Sequence, residues 1–175
     1  MMRRRVSAGI SSVGVAELYF DSYDADYASG KFDVAPENMV DGDEDVYAIA
    51  NLDNSEQYQL LDDIAGSLGS GTITTVDMRV KCYYSNKTAA AIQFYFGPYQ
   101  SEENYVNKLT TITDTPTWSD WLEVSLVAGP TWDAIESWED LASLKARIYT
   151  LAAGPEGTRY ADVHVSKVEM RVTYT

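Results

Sequence analysis

Two residue types on which many metal centres and hydrolytic sites depend are almost missing: the 175-residue chain has one histidine, His164, and one cysteine, Cys82. A single histidine excludes a multi-histidine metal centre and the HExxH arrangement, and any Ser-His-Asp triad would have to use His164 itself. A single cysteine excludes an internal disulfide, and the inward strand position of Cys82 makes it a small buried hydrophobe. Basic residues are scarce, 13 Lys and Arg against 27 Asp and Glu, and the net charge of −14 repels phosphate backbones. Nucleic acid is therefore not an expected partner. No apolar run approaches the roughly 18 positions that mark a membrane span, and no glycine-rich phosphate loop is present. The 27 carboxylates neither exclude nor support a glycosidase, which needs only two of them at the right separation. No enzymatic activity is expected.

What is present is alternation. Val76, Met78, Val80, Cys82 and Tyr84 share one face, and Thr75, Asp77, Arg79, Lys81 and Tyr83 the other, the pattern of a half-buried strand. After the turn-forming Ser85-Asn86-Lys87-Thr88, the residues Ile92, Phe94 and Phe96 alternate with Gln93 and Tyr95, which predicts a long antiparallel hairpin over 73–96. Further strands are expected at Ala16–Asp21, Phe32–Val34, Val46–Ala50, Glu56–Leu61, Tyr105–Thr113 (an edge strand), Trp118–Leu126, from Leu144 onward, and Val163–Tyr174. In the last, parity changes between Val165 and Val168, which implies a bulge near Ser166-Lys167. Ser137-Trp138-Glu139-Asp140 predicts one short capped helical turn. The fold class is all-β: a two-sheet antiparallel sandwich, jelly-roll-like, formed by residues 16–175 after an extended arm, 1–15.

Candidate binding chemistry is confined to a few places. Asp41, Asp43 and Asp45 alternate in an acidic turn, so that three hard oxygen ligands face one cation if their side chains converge; calcium is the ion that suits them. The same spacing serves solvated turn formers equally well. Arg3, Arg4 and Arg5 are a basic tip on an acidic body, suited to docking on a neighbouring copy. The four tryptophans lie between Trp118 and Trp138; Trp121 shares the polar face with Ser119 and Glu123 and is the candidate for stacking on a ligand, whereas Trp118 falls with Leu122 and Val124. Asn86-Lys87-Thr88 satisfies the glycosylation sequon in an exposed turn.

The stretch Asn38 to Asp45 resembles the loop of galactose-binding-like, discoidin-type sandwiches. Trp132 with Ser137-Trp138-Glu139-Asp140-Leu141, followed by Val163 to Tyr174, is similar to jelly-roll modules of phage and viral particle proteins and of secreted appendage proteins. The resemblance implies a binding or assembly module and nothing catalytic. The expectation is a structural component of a virus particle, a capsid decoration or tail part that associates with copies of itself or with a larger shell or filament. The alternative is a calcium-dependent carbohydrate-binding or adhesion module, or a subunit of an extracellular filament, with a glycan as partner. Residues 6–13 are too polar for the apolar core of a signal peptide, and no membrane association is expected; the location implied is a virion or an extracellular assembly.

Overall fold

A computed structural model describes residues 12–25, 32–53, 56–99, 108–124, 135–155 and 159–175. Ten strands account for most of them: β1 Gly14–Tyr23, β2 Ala48–Asp53, β3 Glu56–Gly66, β4 Ile73–Ser85, β5 Ala91–Tyr99, β6 Lys108–Thr110, β7 Thr117–Trp118, β8 Leu122–Glu123, β9 Lys145–Ala153 and β10 Tyr160–Tyr174. The helical elements are a 3-10 turn, Pro36–Met39, and α1, Trp138–Ala142. The fold is all-β, with antiparallel pairing throughout.

β10 organises the first half of the sheet. Along one side it pairs with β4 for nearly its whole length; along the other it takes β2 opposite residues 160–165 and β1 opposite residues 169–174. The register with β4 slips between Val165 and Lys167, which leaves Ser166 as the extra, buried residue and places Val163 and Val165 on the same inner face as Val168, Met170 and Val172. The bulge thus lets one strand with two parities present one apolar face. The second half runs β3-β9-β5-β6. β3 belongs to both halves, pairing with β9 over residues 56–61 and with β1 over 61–66. The expected two layers are therefore joined at a shared corner strand into one curled sheet. Their inner faces meet in a single core that includes Leu18, Phe20, Val80, Phe94, Phe96 and Ile148.

The hairpin expected over 73–96 does not form. Both strands have the predicted inner faces, with Val76, Met78, Val80, Cys82, Phe94 and Phe96 buried, but β4 and β5 lie in different halves of the sheet. One edge of β4 is taken by β10, and the other by β7 and β8. After β4, Asn86 turns with φ of 50°, and the backbone N–H groups of Thr88 and Ala89 donate to Tyr160 O, which ties the connection to β10 and sends β5 away from β4.

Other boundaries shift for local reasons. β1 begins at Gly14, inside the stretch expected as an arm, because Gly14 and Val15 pair with Tyr174 and Thr173. Over its described part, 118–124, the strand expected over 118–126 is two short strands, β7 and β8, separated by Ser119, Asp120 and Trp121; residues 125 and 126 lie outside the described residues. Around Phe32 and Val34 only a single bridge forms, Val34 to Ile49. α1 carries the predicted capping box: Ser137 Oγ accepts from Asp140 N at 3.1 Å, and Ser137 N donates to the Asp140 carboxylate at 2.9 Å. Among the described residues no helix is long and apolar enough to cross a membrane.

Candidate binding site

On the outer face of the second half, alternation puts Tyr58, Tyr149 and Tyr95 at directly opposed positions of β3, β9 and β5, and Leu109 of β6 continues the row. Each tyrosine is flanked in sequence by inward residues, Gln57 and Gln59, Ile148 and Thr150, Phe94 and Phe96, so core burial on one side forces the ring outward on the other. The rings are half-buried and in contact: Tyr58 to Tyr149 centroids are 5.1 Å apart and Tyr95 to Tyr149 centroids 5.7 Å, tilted by 37° and 48°. Strand spacing thereby sets the spacing of an aromatic platform.

Polar groups fix this platform. Glu56 accepts hydrogen bonds from the hydroxyls of both Tyr149, at 2.6 Å, and Tyr58. Those bonds, Tyr149 first, hold the Glu56 carboxyl below its usual value; burial, and then the same bond, push the Tyr149 phenol up. The Arg147 guanidinium lies over Tyr58 at 4.7 Å from the ring centroid. Gln93, next outward position to Tyr95, is exposed. Leu109, 60% exposed, also forms the wall between two open clefts. One, of about 380 Å³, is lined by Tyr84, Lys87, Gln93 and Thr110 among others; its neighbour, of about 290 Å³, is lined by Trp118, Ser119 and Asp120.

The residues singled out in the sequence lie elsewhere. Asp41, Asp43 and Asp45 do not converge: Asp41 Oδ1 accepts from Asp43 N at 2.8 Å, Asp43 Oδ1 accepts from Asp45 N at 2.9 Å, and Asp45 lies 3.7 Å from Lys81 Nζ. The Asp41 and Asp43 oxygens cap the turn's own backbone, and that of Asp45 faces Lys81. Among the described residues no three His, Cys, Asp or Glu side chains are gathered to hold a metal. Arg3, Arg4, Arg5 and Trp132 lie outside the described residues.

Trp121 belongs to a ladder on the outer face of β4 and β10. Arg79 lies 4.2 Å from the Trp118 centroid and 4.5 Å from that of Trp121, and Arg171 is 4.6 Å from Trp121. Each arginine is also paired across the strands, Arg79 with Glu169 at 2.6 Å and Arg171 with Asp77 at 3.0 Å. Trp118 is half-buried in this ladder and is not part of the core. The sequon residue Asn86 donates its side-chain amide to Asp162. His164 shares a 2.8 Å hydrogen bond with Ser85 Oγ, while the Asp162 carboxylate accepts from Asn86 and from the Tyr160 hydroxyl. The tyrosine row was legible as aromatic residues at outward strand parity, a signal that carries weight only once the strands' neighbours are known.

No family model matches the chain, and no curated protein matches it. Among solved structures it is similar to chitosan-binding module 1, derived from a chitosanase/glucanase of Paenibacillus sp. IK-5 and known from an X-ray crystal structure. Identity is 15%, coverage is 91% of this chain and 92% of that one, and the TM-score is 0.38. So low a TM-score does not make the two folds one.

Proposed function

We propose that this chain is a non-catalytic carbohydrate-binding module whose ligand lies along Tyr58, Tyr149 and Tyr95. The observation that carries the reading is the row itself, three rings side by side on an outward sheet face, held by Glu56 and Arg147. A pyranose ring presents C–H groups on its faces and hydroxyls round its rim, and so stacks on an aromatic face while polar neighbours take the rim. Gln93 supplies a side-chain amide beside the row, and the open clefts beyond Leu109 give a longer chain somewhere to continue. Binding of soluble polysaccharides and oligosaccharides, measured by affinity electrophoresis and titration calorimetry, tests the reading. Tyr149→Ala is expected to weaken binding by about tenfold or more, equivalent to about 1.4 kcal/mol, and Trp121→Phe to leave it unchanged. Absence of binding across neutral, acidic and amino glycans, or a Tyr149→Ala chain that binds as well as the parent, removes it.

A second reading, association of copies into a shell or filament such as a virus particle, is favoured by the edge of β1. β10 covers one side of this strand from Gly14, but β3 reaches the other only from Leu18 onward, and Val13 and Val15 are 66% and 56% exposed. An exposed strand edge with apolar side chains is a template for another strand. Sedimentation of the intact chain and of residues 12–175 decides it: assembly by the intact chain that is lost on removing Arg3, Arg4 and Arg5 supports this mode, and a monomer at every concentration excludes it.

A further inference from the structure

The larger cleft beside the tyrosine row differs in charge from the acidic body around it. It meets the row at Gln93, the next outward position to Tyr95, and at Leu109, directly opposed to Tyr95; Tyr84, Lys87, Thr110 and Thr111 line it further. Among the described residues that line it there is no aspartate or glutamate, although the chain carries 27 of them. The one charged group is the Lys87 ammonium, 4.9 Å from the centroid of the Tyr84 ring.

The other cations of the sheet are committed to carboxylates: Lys81 to Glu44 and Asp45, Lys145 to Asp62, Arg79 and Lys167 to Glu169, and Arg171 to Asp77. Among the described residues no carboxylate pairs with Lys87. The exposed turn that carries it is pinned on both sides. Asn86, at φ of 50°, donates its side-chain amide to Asp162, and the N–H groups of Thr88 and Ala89 donate to Tyr160 O at 2.8 and 3.0 Å. The backbone thus keeps an uncommitted positive charge at the cleft.

A lysine offers three donors and no acceptor. Sugar hydroxyls can accept from it, but an anionic oxygen also answers its charge, and a charge-assisted bond is about twice as strong as a neutral one. An amino sugar would meet like charge there. The net charge of −14 opposes a densely charged polyanion. It acts weakly on a single anion touching Lys87, because charges more than about 10 Å away are largely screened at moderate salt. The cleft, of about 380 Å³, falls within the roughly 300–1,000 Å³ of small-ligand sites.

We propose that this cleft is an anion-selective subsite of the glycan site, taking one sugar unit that bears a hexuronate carboxylate or a sulfate ester. Lys87 binds the anionic group, and Gln93, Thr110 and Thr111 face the hydroxyls. The inference rests on the glycan reading and narrows it: the ligand is a mostly neutral chain with sparse negative charges, laid along Tyr58, Tyr149 and Tyr95.

Titration calorimetry at physiological salt tests it with xylo-, cello- and manno-tetrasaccharides in four forms: bare, bearing one glucuronate, bearing that glucuronate as its methyl ester, and bearing one sulfate ester. A charged form is expected to bind about tenfold more tightly than the bare and esterified forms. The gain is expected to vanish in Lys87→Gln and to persist in Lys87→Arg, and the larger of the carboxylate and sulfate gains identifies the group. Lys87 is exposed, so Lys87→Gln is expected to keep the parent's Tm. Binding indifferent to the charge, a preference that survives Lys87→Gln, or binding of amino glycans alone overturns the proposal; the glycan reading then still stands if Tyr149→Ala weakens that binding. Absence of binding in every form removes both.

Discussion

Tyr83 stacks on His164 face to face, the ring centroids 4.2 Å apart and the planes within 11°, at directly opposed positions of β4 and β10. Tyr47 closes the edge of the pair, Ser85 Oγ binds the imidazole Nε2, and Asp162 is the acidic neighbour. Burial lowers the His164 pKa from its ordinary value, with Asp162 opposing in part. The folded chain therefore resists a proton that the unfolded chain accepts. The stability contributed is fully present above the unfolded value of about 6.5 and is lost as pH falls through it toward the folded value.

Denaturant unfolding should show this as a difference. The stability of wild type relative to His164→Gln is expected to decline as pH falls from about 7.5 to about 5.5, a window set by the unfolded imidazole. A difference that is flat with pH would mean that His164 titrates alike in both states.

Cys82 is buried in β4, and burial pushes its thiol up to about 12. A thiol so placed is neither ionised nor accessible at neutral pH. Disulfide-exchange reagents are expected to modify it only at the rate of opening, and to react at once in denaturant. Rapid native labelling would place the side chain outside the core.

Phe94→Ala is expected to cost about 3–5 kcal/mol, through lost burial and the cavity left behind, since the ring is completely buried. Gln93→Ala, on the opposite face of β5, is expected to change stability by no more than about 0.5 kcal/mol. Urea titrations of the two variants check the register of β5; equal effects would show it to be shifted by one.

Arg79 combines a carboxylate pair with stacking on Trp118 and Trp121. Arg79→Lys keeps the charge but not the flat guanidinium, and is expected to lose about 0.5–2 kcal/mol of stability and to red-shift the tryptophan emission. Unchanged fluorescence in Arg79→Lys would show that the ladder does not depend on the planar group.

Local patterns in the sequence specified local structure well. The alternation of Val76 to Cys82, the parity change near Ser166 and the capping box at Ser137 all appear where expected, because each depends on neighbours along the chain. Pairing was less legible. Phe94 and Phe96 need a strand with the right inner face and cannot specify which; β10 matches β4 over a longer length than β5 does, bulge included, and takes its place. The acidic turn was ambiguous for a related reason: aspartates two residues apart serve backbone N–H groups as readily as a cation. The tyrosine row arises only when β3, β9 and β5 lie side by side.

β10 pairs with β1, β2 and β4, all of which precede it along the chain. As a ribosome makes the protein, these three strands emerge with the strand that joins them still to come. Their edges stay open until β10 is made, so the register closes only then, through contacts of long sequence separation. Exposure of these edges to aggregation is greatest just before Tyr160 to Tyr174 becomes available to pair with them.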